Sequence, residues 1–133
     1  MHTALRDIFN FHKLFTKCMK QPCFDCPFRK SVEYSLSPKK ARDILQAITH
    51  DKAFHCHKSV DYSESIEGRV TAESKLCFGA VLFLENSVRG GCRSNVMFRF
   101  GLIRKEFSLD DLRQDERIYK SFDEFIAGVS PNG

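Results

Sequence analysis

The chain has 133 residues, 42% of them apolar, with 21 basic and 17 acidic side chains for a net charge of +4. That is one domain's length, with a core that has little to spare, and a basicity too mild to argue for a nucleic-acid partner while permitting one. No apolar run approaches the ~20 residues of a membrane span, and "MHTALRDIFNFHKLF" carries Arg6, Asp7 and Lys13 where a secretory signal would be apolar, so a cytoplasmic protein without a membrane partner is expected.

Leu5, Ile8, Phe9, Leu14, Phe15, Cys18 and Met19 fall on one helical stripe behind Thr3, which predicts an N-terminal helical extension over residues 1–20, stopped by Pro22. A loop carrying "PCFDCPFRK" follows. Ser37 as N-cap and Pro38 at the first helical position open a helix with Ala41, Ile44, Leu45 and Ile48 on one face, running to about His50. Residues 59–74 are polar and aperiodic, the pattern of an exposed loop. "KLCFGAVLFLEN" is apolar all round and suits a buried helix. After the turn "RGGCRSN", Ser94 is placed to cap a helix bearing Val96, Met97, Phe100 and Ile103. Two capping-box patterns, Ser108 with Asp111 and Ser121 with Glu124, close the chain, the second opening a helix that stops near Gly128. The expected fold is mainly α: one domain over residues 1–133, with about five helices around a cysteine-rich metal site and at most a minor sheet. Thirteen Phe and no Trp predict a core built on phenylalanine.

Six cysteines without a secretory signal favour metal or redox chemistry over disulfides. Zinc holds four ligands in a tetrahedron with Zn–S near ~2.3 Å, so neighbouring sulfurs must come within about 4 Å of one another. The two residues between Cys23 and Cys26 let a tight turn aim both thiolates at one point, and Pro27 biases Cys26 away from helical angles. In "FHCHKS" an extended backbone would offer His55 and His57 together or Cys56 alone, while a turn would offer Cys56 and His57. Cys77, at the head of the apolar helix, is the remaining candidate. The leading set is Cys23, Cys26, Cys56 and Cys77, with His57 as replacement ligand or supporting partner. Four thiolates on Zn²⁺ leave a local charge of −2, which Arg29, Lys30, His57 and Lys58 are placed to offset. Cys18 and Cys92 are expected to be plain buried thiols.

Enzymatic readings are weaker. "PCFDC" matches half of a zinc deaminase motif, but the H-x-E that such chemistry needs is missing from the sequence. No βαβ pattern surrounds the CxxC, against a thioredoxin-like dithiol. Cys18, Cys23 and Cys26 have the C-x₄-C-x₂-C spacing of plant-type ferredoxins, with Cys56 as a distant fourth, so an iron–sulfur or redox protein is the alternative. A metal-dependent hydrolase or nuclease, with Cys56 or His57 displaced for water, is a third reading. A closed ligand set argues against it, as does the lack of any carboxylate in the metal motifs other than Asp25, which the turn is expected to expose.

"CxxCPFRK", "FHCHKS", "CFGAVLF", "RSNVMFRFG" and the terminal "IYKSFDEFIAG" together resemble a family of small phage and bacterial proteins with the pattern CxxCPxR…FxCHK…CxG, an Asn/Arg-bearing helix and a serine-initiated final helix. The resemblance spans Pro22 to Gly128. It implies Cys23, Cys26, Cys56, His57 and Cys77 as the metal site with Arg29 beside it, and Asn95 and Arg99 match its helix. Its variable position falls on His55, its loop is shorter than residues 59–74, and "CAG" commonly stands where this chain has "CFG". The functional expectation is a non-catalytic zinc module binding a host protein or nucleic acid, an accessory factor of a phage or mobile element. Arg29, Arg93, Asn95 and Arg99 are the candidate partner-binding residues. Arg99 and Arg104, five apart and about 140° round a helix, cannot share a stripe, so the turn arginines Arg89 and Arg93 would have to join one of them.

Overall fold

The computed structural model describes residues 17–52, 54–56, 59–60, 63, 74–112 and 115–131. Helix α1 spans Pro38–Thr49, capped by Ser37, whose hydroxyl oxygen accepts the Lys40 N–H, and closed by His50. Its apolar positions Ala41, Leu45 and Ile48 are buried at the spacing of one helical face. Helix α2, Phe78–Ser87, buries every residue from Phe78 to Leu84. A helix with no polar face has to lie inside the molecule, and α2 is the central element. A 3₁₀ turn over Gly91–Ser94 packs on α2 and leads into α3, Val96–Ile103. A second, three-residue 3₁₀ turn at Leu109–Asp111 precedes α4, Phe122–Val129, which packs against α1. The Ser121 hydroxyl caps α4 by accepting the Glu124 N–H.

The phenylalanine core is present. Phe28, fully buried, stacks on Phe125 at 5.0 Å between centroids and touches Phe83 and Phe54 at 5.1 and 5.6 Å. No sheet forms among the described residues; three isolated bridges take its place. Two meet at Leu76, which pairs in parallel with Cys18 and antiparallel with His55. The third joins Arg29 to Ile118, with Lys30 N–H donating to the Arg117 carbonyl at 2.7 Å and Tyr119 N–H to that of Phe28 at 3.1 Å.

Three expectations are corrected locally. The stripe ending in Cys18 and Met19 does not finish as a helix: Leu76 N–H donates to Lys17 O and Met19 N–H to Leu76 O, so residues 17–19 are extended beside Leu76. Residues 1–16, the rest of that predicted helix, lie outside the described residues. Asn95, not Ser94, caps α3, because its side-chain oxygen reaches both Met97 and Phe98 N–H, at 2.9 and 3.2 Å. The capping box of Ser108 with Asp111 is present, on a 3₁₀ turn. Most of the loop expected at 59–74 lies outside the described residues, but its base is not a free loop. Ser74 is buried and donates to Ser59 O, while Ser59 Oγ donates to Cys56 O and accepts from Lys75 N–H, each at 2.8 Å.

Candidate metal centre

The segments that hold the four cysteines are pinned by backbone hydrogen bonds before any side chain is considered. Cys56 N–H donates to Lys75 O at 2.7 Å and Cys77 N–H to Phe54 O at 2.8 Å, which sets residues 54–56 beside the entry to α2. Cys56 is buried, so this extended segment turns its thiol inward and takes the thiol side of the alternative that its alternation posed. His57 lies outside the described residues. The CxxC turn closes with Cys26 N–H on Cys23 O at 3.1 Å and continues with Arg29 N–H on Cys26 O at 3.0 Å. Tyr34 donates its hydroxyl to Asp25 O at 2.6 Å and holds the turn from outside.

Two of the four sulfurs come close together. Cys26 Sγ stands 3.7 Å from Cys77 Sγ. The edge of a zinc–thiolate tetrahedron with ~2.3 Å bonds is about 3.8 Å. Cys23 is within electrostatic reach of Cys26 and Cys56, and Cys77 of Cys26 and Cys56. Cys23 is half-buried; Cys26, Cys56 and Cys77 are buried. As free thiols they are drawn up in proximity without closing on a common centre, and among the described residues no three His, Cys, Asp or Glu side chains form a ready-made ligand set.

Gly79 explains how the sulfurs come so close. A Cβ at position 79 would run into Cys26 Sγ and stand 3.6 Å from Cys77 Sγ, so the space a side chain would fill is given to the thiols. The donor set therefore fits a thiophilic ion: all sulfur, mostly shielded from water, and cradled at a glycine.

The thiols are not electrostatically equivalent. The hydrogen bond from Cys77 pulls the Cys26 thiol below its ordinary value against the opposing effect of burial, helped by the Phe28 N–H and the Arg29 charge. Cys77 is raised well above its ordinary value by the same hydrogen bond and by burial, although it caps α2 and accepts the Ala80 N–H at 3.4 Å. Burial pushes Cys23 up to about 12, with Cys56 and Cys26 adding to it. Cys26, the thiol held low, is the one beside Arg29. Arg29 also donates from Nη1 to Cys23 O at 3.4 Å, so it belongs to the sulfur site as its counter-charge.

Asp25 is half-buried rather than exposed as expected, and its Oδ1 is shielded from solvent; Phe24 is the exposed tip of the turn, at 73%. Cys18 is not drawn to the sulfur cluster. Its charged neighbours are Lys20, Glu106, Cys92 and Asp111, and burial raises its thiol strongly. Cys92 is buried as expected, pushed up to about 12 by burial and by Glu85.

Of the residues expected to meet a partner, Arg93 and Arg99 are exposed, with Arg99 Nε donating to Arg93 O at 3.0 Å. Asn95 is fully buried, which corrects its assignment to a partner surface. Its amide donates to Ile48 O at 2.8 Å and to Lys52 O at 3.0 Å, so it ties α3 to the end of α1. Gly79 and Tyr34 were missed as site residues. A glycine two positions after a cysteine at a helix start was the available signal for the first, and no local signal marks the second.

Comparison with family models, with curated proteins and with solved structures found no match.

Proposed function

We propose that Cys23, Cys26, Cys56 and Cys77 bind one zinc ion that closes the fold, and that the protein is a non-catalytic binding module. The observation that carries this reading is the 3.7 Å approach of Cys26 and Cys77 sulfurs over the missing side chain of Gly79. Two further features support it. Phe28 and Ala80 offer backbone N–H groups to Cys26 and Cys77, donors that steady thiolates bound to a cation, and Arg29 offsets the excess negative charge of four thiolates. With four protein ligands the ion keeps no position for water, which is the mark of a structural rather than a catalytic site. The metal would join the loop after Pro22, the segment before Ser59 and the head of α2, adding to the backbone pairing and phenylalanine contacts that already bring them together. The partner is a nucleic acid or a protein, in keeping with an accessory factor of a phage or mobile element acting on a host component.

Metal analysis of anaerobically purified protein tests this directly. One zinc per chain is expected, together with loss of helical circular dichroism when a chelator removes it, since structural zinc contributes about 10–16 kcal/mol of apparent binding energy in small peptides. Iron with acid-labile sulfide, or protein that stays folded without metal, overturns it.

A further inference from the structure

One stretch of this protein carries positive charge with no acidic residue inside it. Residues 88–105 hold five of the 21 basic side chains and none of the 17 acidic ones, so the remaining chain, with 16 basic and 17 acidic residues, is at −1. The fold brings three of the five together around the 3₁₀ turn and the first turns of α3. Arg89, Arg93 and Arg99 are all exposed. Gly90 and Gly91, at φ +89° and +65°, give the tight left-handed turn between the first two, and Arg99 Nε on Arg93 O draws the third back over it.

The acids that border this surface are engaged with backbone. Glu85 is turned under Gly91 and accepts the Cys92 N–H at 3.3 Å; Asp51 accepts the Val96 N–H at 2.9 Å. Among the described residues no carboxylate forms an ion pair with Arg89, Arg93 or Arg99, whereas Lys30, Lys39, Arg117 and Lys120 each have one. The amides at the head of α3 are taken by Asn95 and Asp51, so any anion here meets guanidinium groups and not a free helix end. Between Val88 and Phe100 the exposed residues are Arg89, Gly90, Arg93, Ser94 and Arg99, and one turn beyond Arg99 a single large apolar side chain, Ile103, is exposed at the end of α3. A stable protein interface is organised around a desolvated apolar or aromatic cluster, and a lone isoleucine at the end of α3 does not supply one. A phosphodiester backbone asks only for clustered guanidinium donors.

We propose that Arg89, Arg93 and Arg99 form the docking surface for the phosphate backbone of a nucleic acid. This rests on reading the protein as a binding module and names its partner class. Recognition here is of the backbone by guanidinium groups, since the Ser94 hydroxyl already donates to Gly91 O at 2.8 Å. Three neutralised phosphates on duplex DNA give a log–log salt slope near about −2.7, roughly a 40-fold loss of affinity between 50 and 200 mM salt.

The experiment is fluorescence anisotropy of the full chain, as purified, with a labelled mixed-sequence DNA duplex and an RNA hairpin across that salt range, and with polyglutamate as competitor. Zinc content and circular dichroism are measured on the same samples. Binding to either nucleic acid with a slope near that value is expected, polyglutamate failing to compete. Each of Arg89→Gln, Arg93→Gln and Arg99→Gln should reduce the slope by about one, and Lys39→Gln on α1 should leave it unchanged. The proposal is overturned by no binding at 50 mM salt, by a slope indifferent to all three substitutions, or by polyglutamate competing as well as DNA, which assigns the surface to an acidic protein. Because metal content is read separately, metal-free protein that still binds with this pattern would sink the zinc reading alone.

Discussion

Gly79 and Cys26 share one space: the glycine sits in the first turn of α2, and the sulfur from the CxxC turn lies where its side chain would be. Gly79→Ala should therefore displace Cys26 Sγ from Cys77 and loosen the metal site. Overpacking of this kind costs about 1–3 kcal/mol, and here it also moves a ligand. The expected result is a lower thermal midpoint together with reduced zinc retention against a chelator. Gly128→Ala, whose Cβ would strike the Tyr119 ring instead, should lower the midpoint and leave zinc retention unchanged. Equal effects on zinc in the two variants would separate Gly79 from the site.

Serine at each cysteine sorts ligands from core thiols. At Cys23, Cys26, Cys56 or Cys77 it should abolish stoichiometric zinc and most of the folded population. At Cys18 or Cys92, both buried and outside the sulfur cluster, it should keep one zinc per chain. These two are not expected to be silent, because a hydroxyl placed in a closed apolar site costs roughly 1–3 kcal/mol. Zinc content and thermal unfolding of the six variants check both halves.

Asn95 is the buried knot between α1 and α3. Its oxygen caps two amides and its nitrogen meets two carbonyls forty and more residues away. Asn95→Ala strips all four and should destabilise the protein by on the order of 3 kcal/mol, the loss of a cap plus buried groups left unpaired. Asn95→Ser, which keeps an acceptor for α3 and loses the reach to α1, should fall between. Chemical denaturation gives the ranking. An alanine variant as stable as the parent would mean that these bonds contribute little.

A smaller pH effect comes from Asp115. The bidentate contact with Arg117, Nε at 2.9 Å and Nη2 at 2.7 Å, holds its carboxyl below the ordinary value. A depressed carboxyl stabilises the fold above its unfolded pKa of about 3.9 and loses that contribution as pH falls through the folded value. Arg117 is half exposed, so screening limits the pair to about 0.5–1 kcal/mol. Arg117→Ala should cost that much at pH 6 and progressively less as pH falls below the ordinary carboxylate value. A cost that persists undiminished at the lower pH would point to lost packing rather than charge.

Local chemistry was legible in the sequence because its causes are local. Ser37 followed by Pro38 begins a helix whatever surrounds it, and seven consecutive apolar residues at Phe78–Leu84 must be buried. What no local pattern held was the outcome of competition between segments. Cys18 and Met19 fit a helical stripe, yet the unpaired edge of Leu76 takes their backbone into an extended pairing. Asn95 resembled a surface residue beside two arginines until the end of α1 came to meet it, forty-odd residues away, with two carbonyls needing donors. Cys56 could have faced either way; the hydrogen bond to Lys75 decided that its sulfur points in. Helix starts are settled by neighbours in the chain, and these three positions by partners that only folding brings within reach.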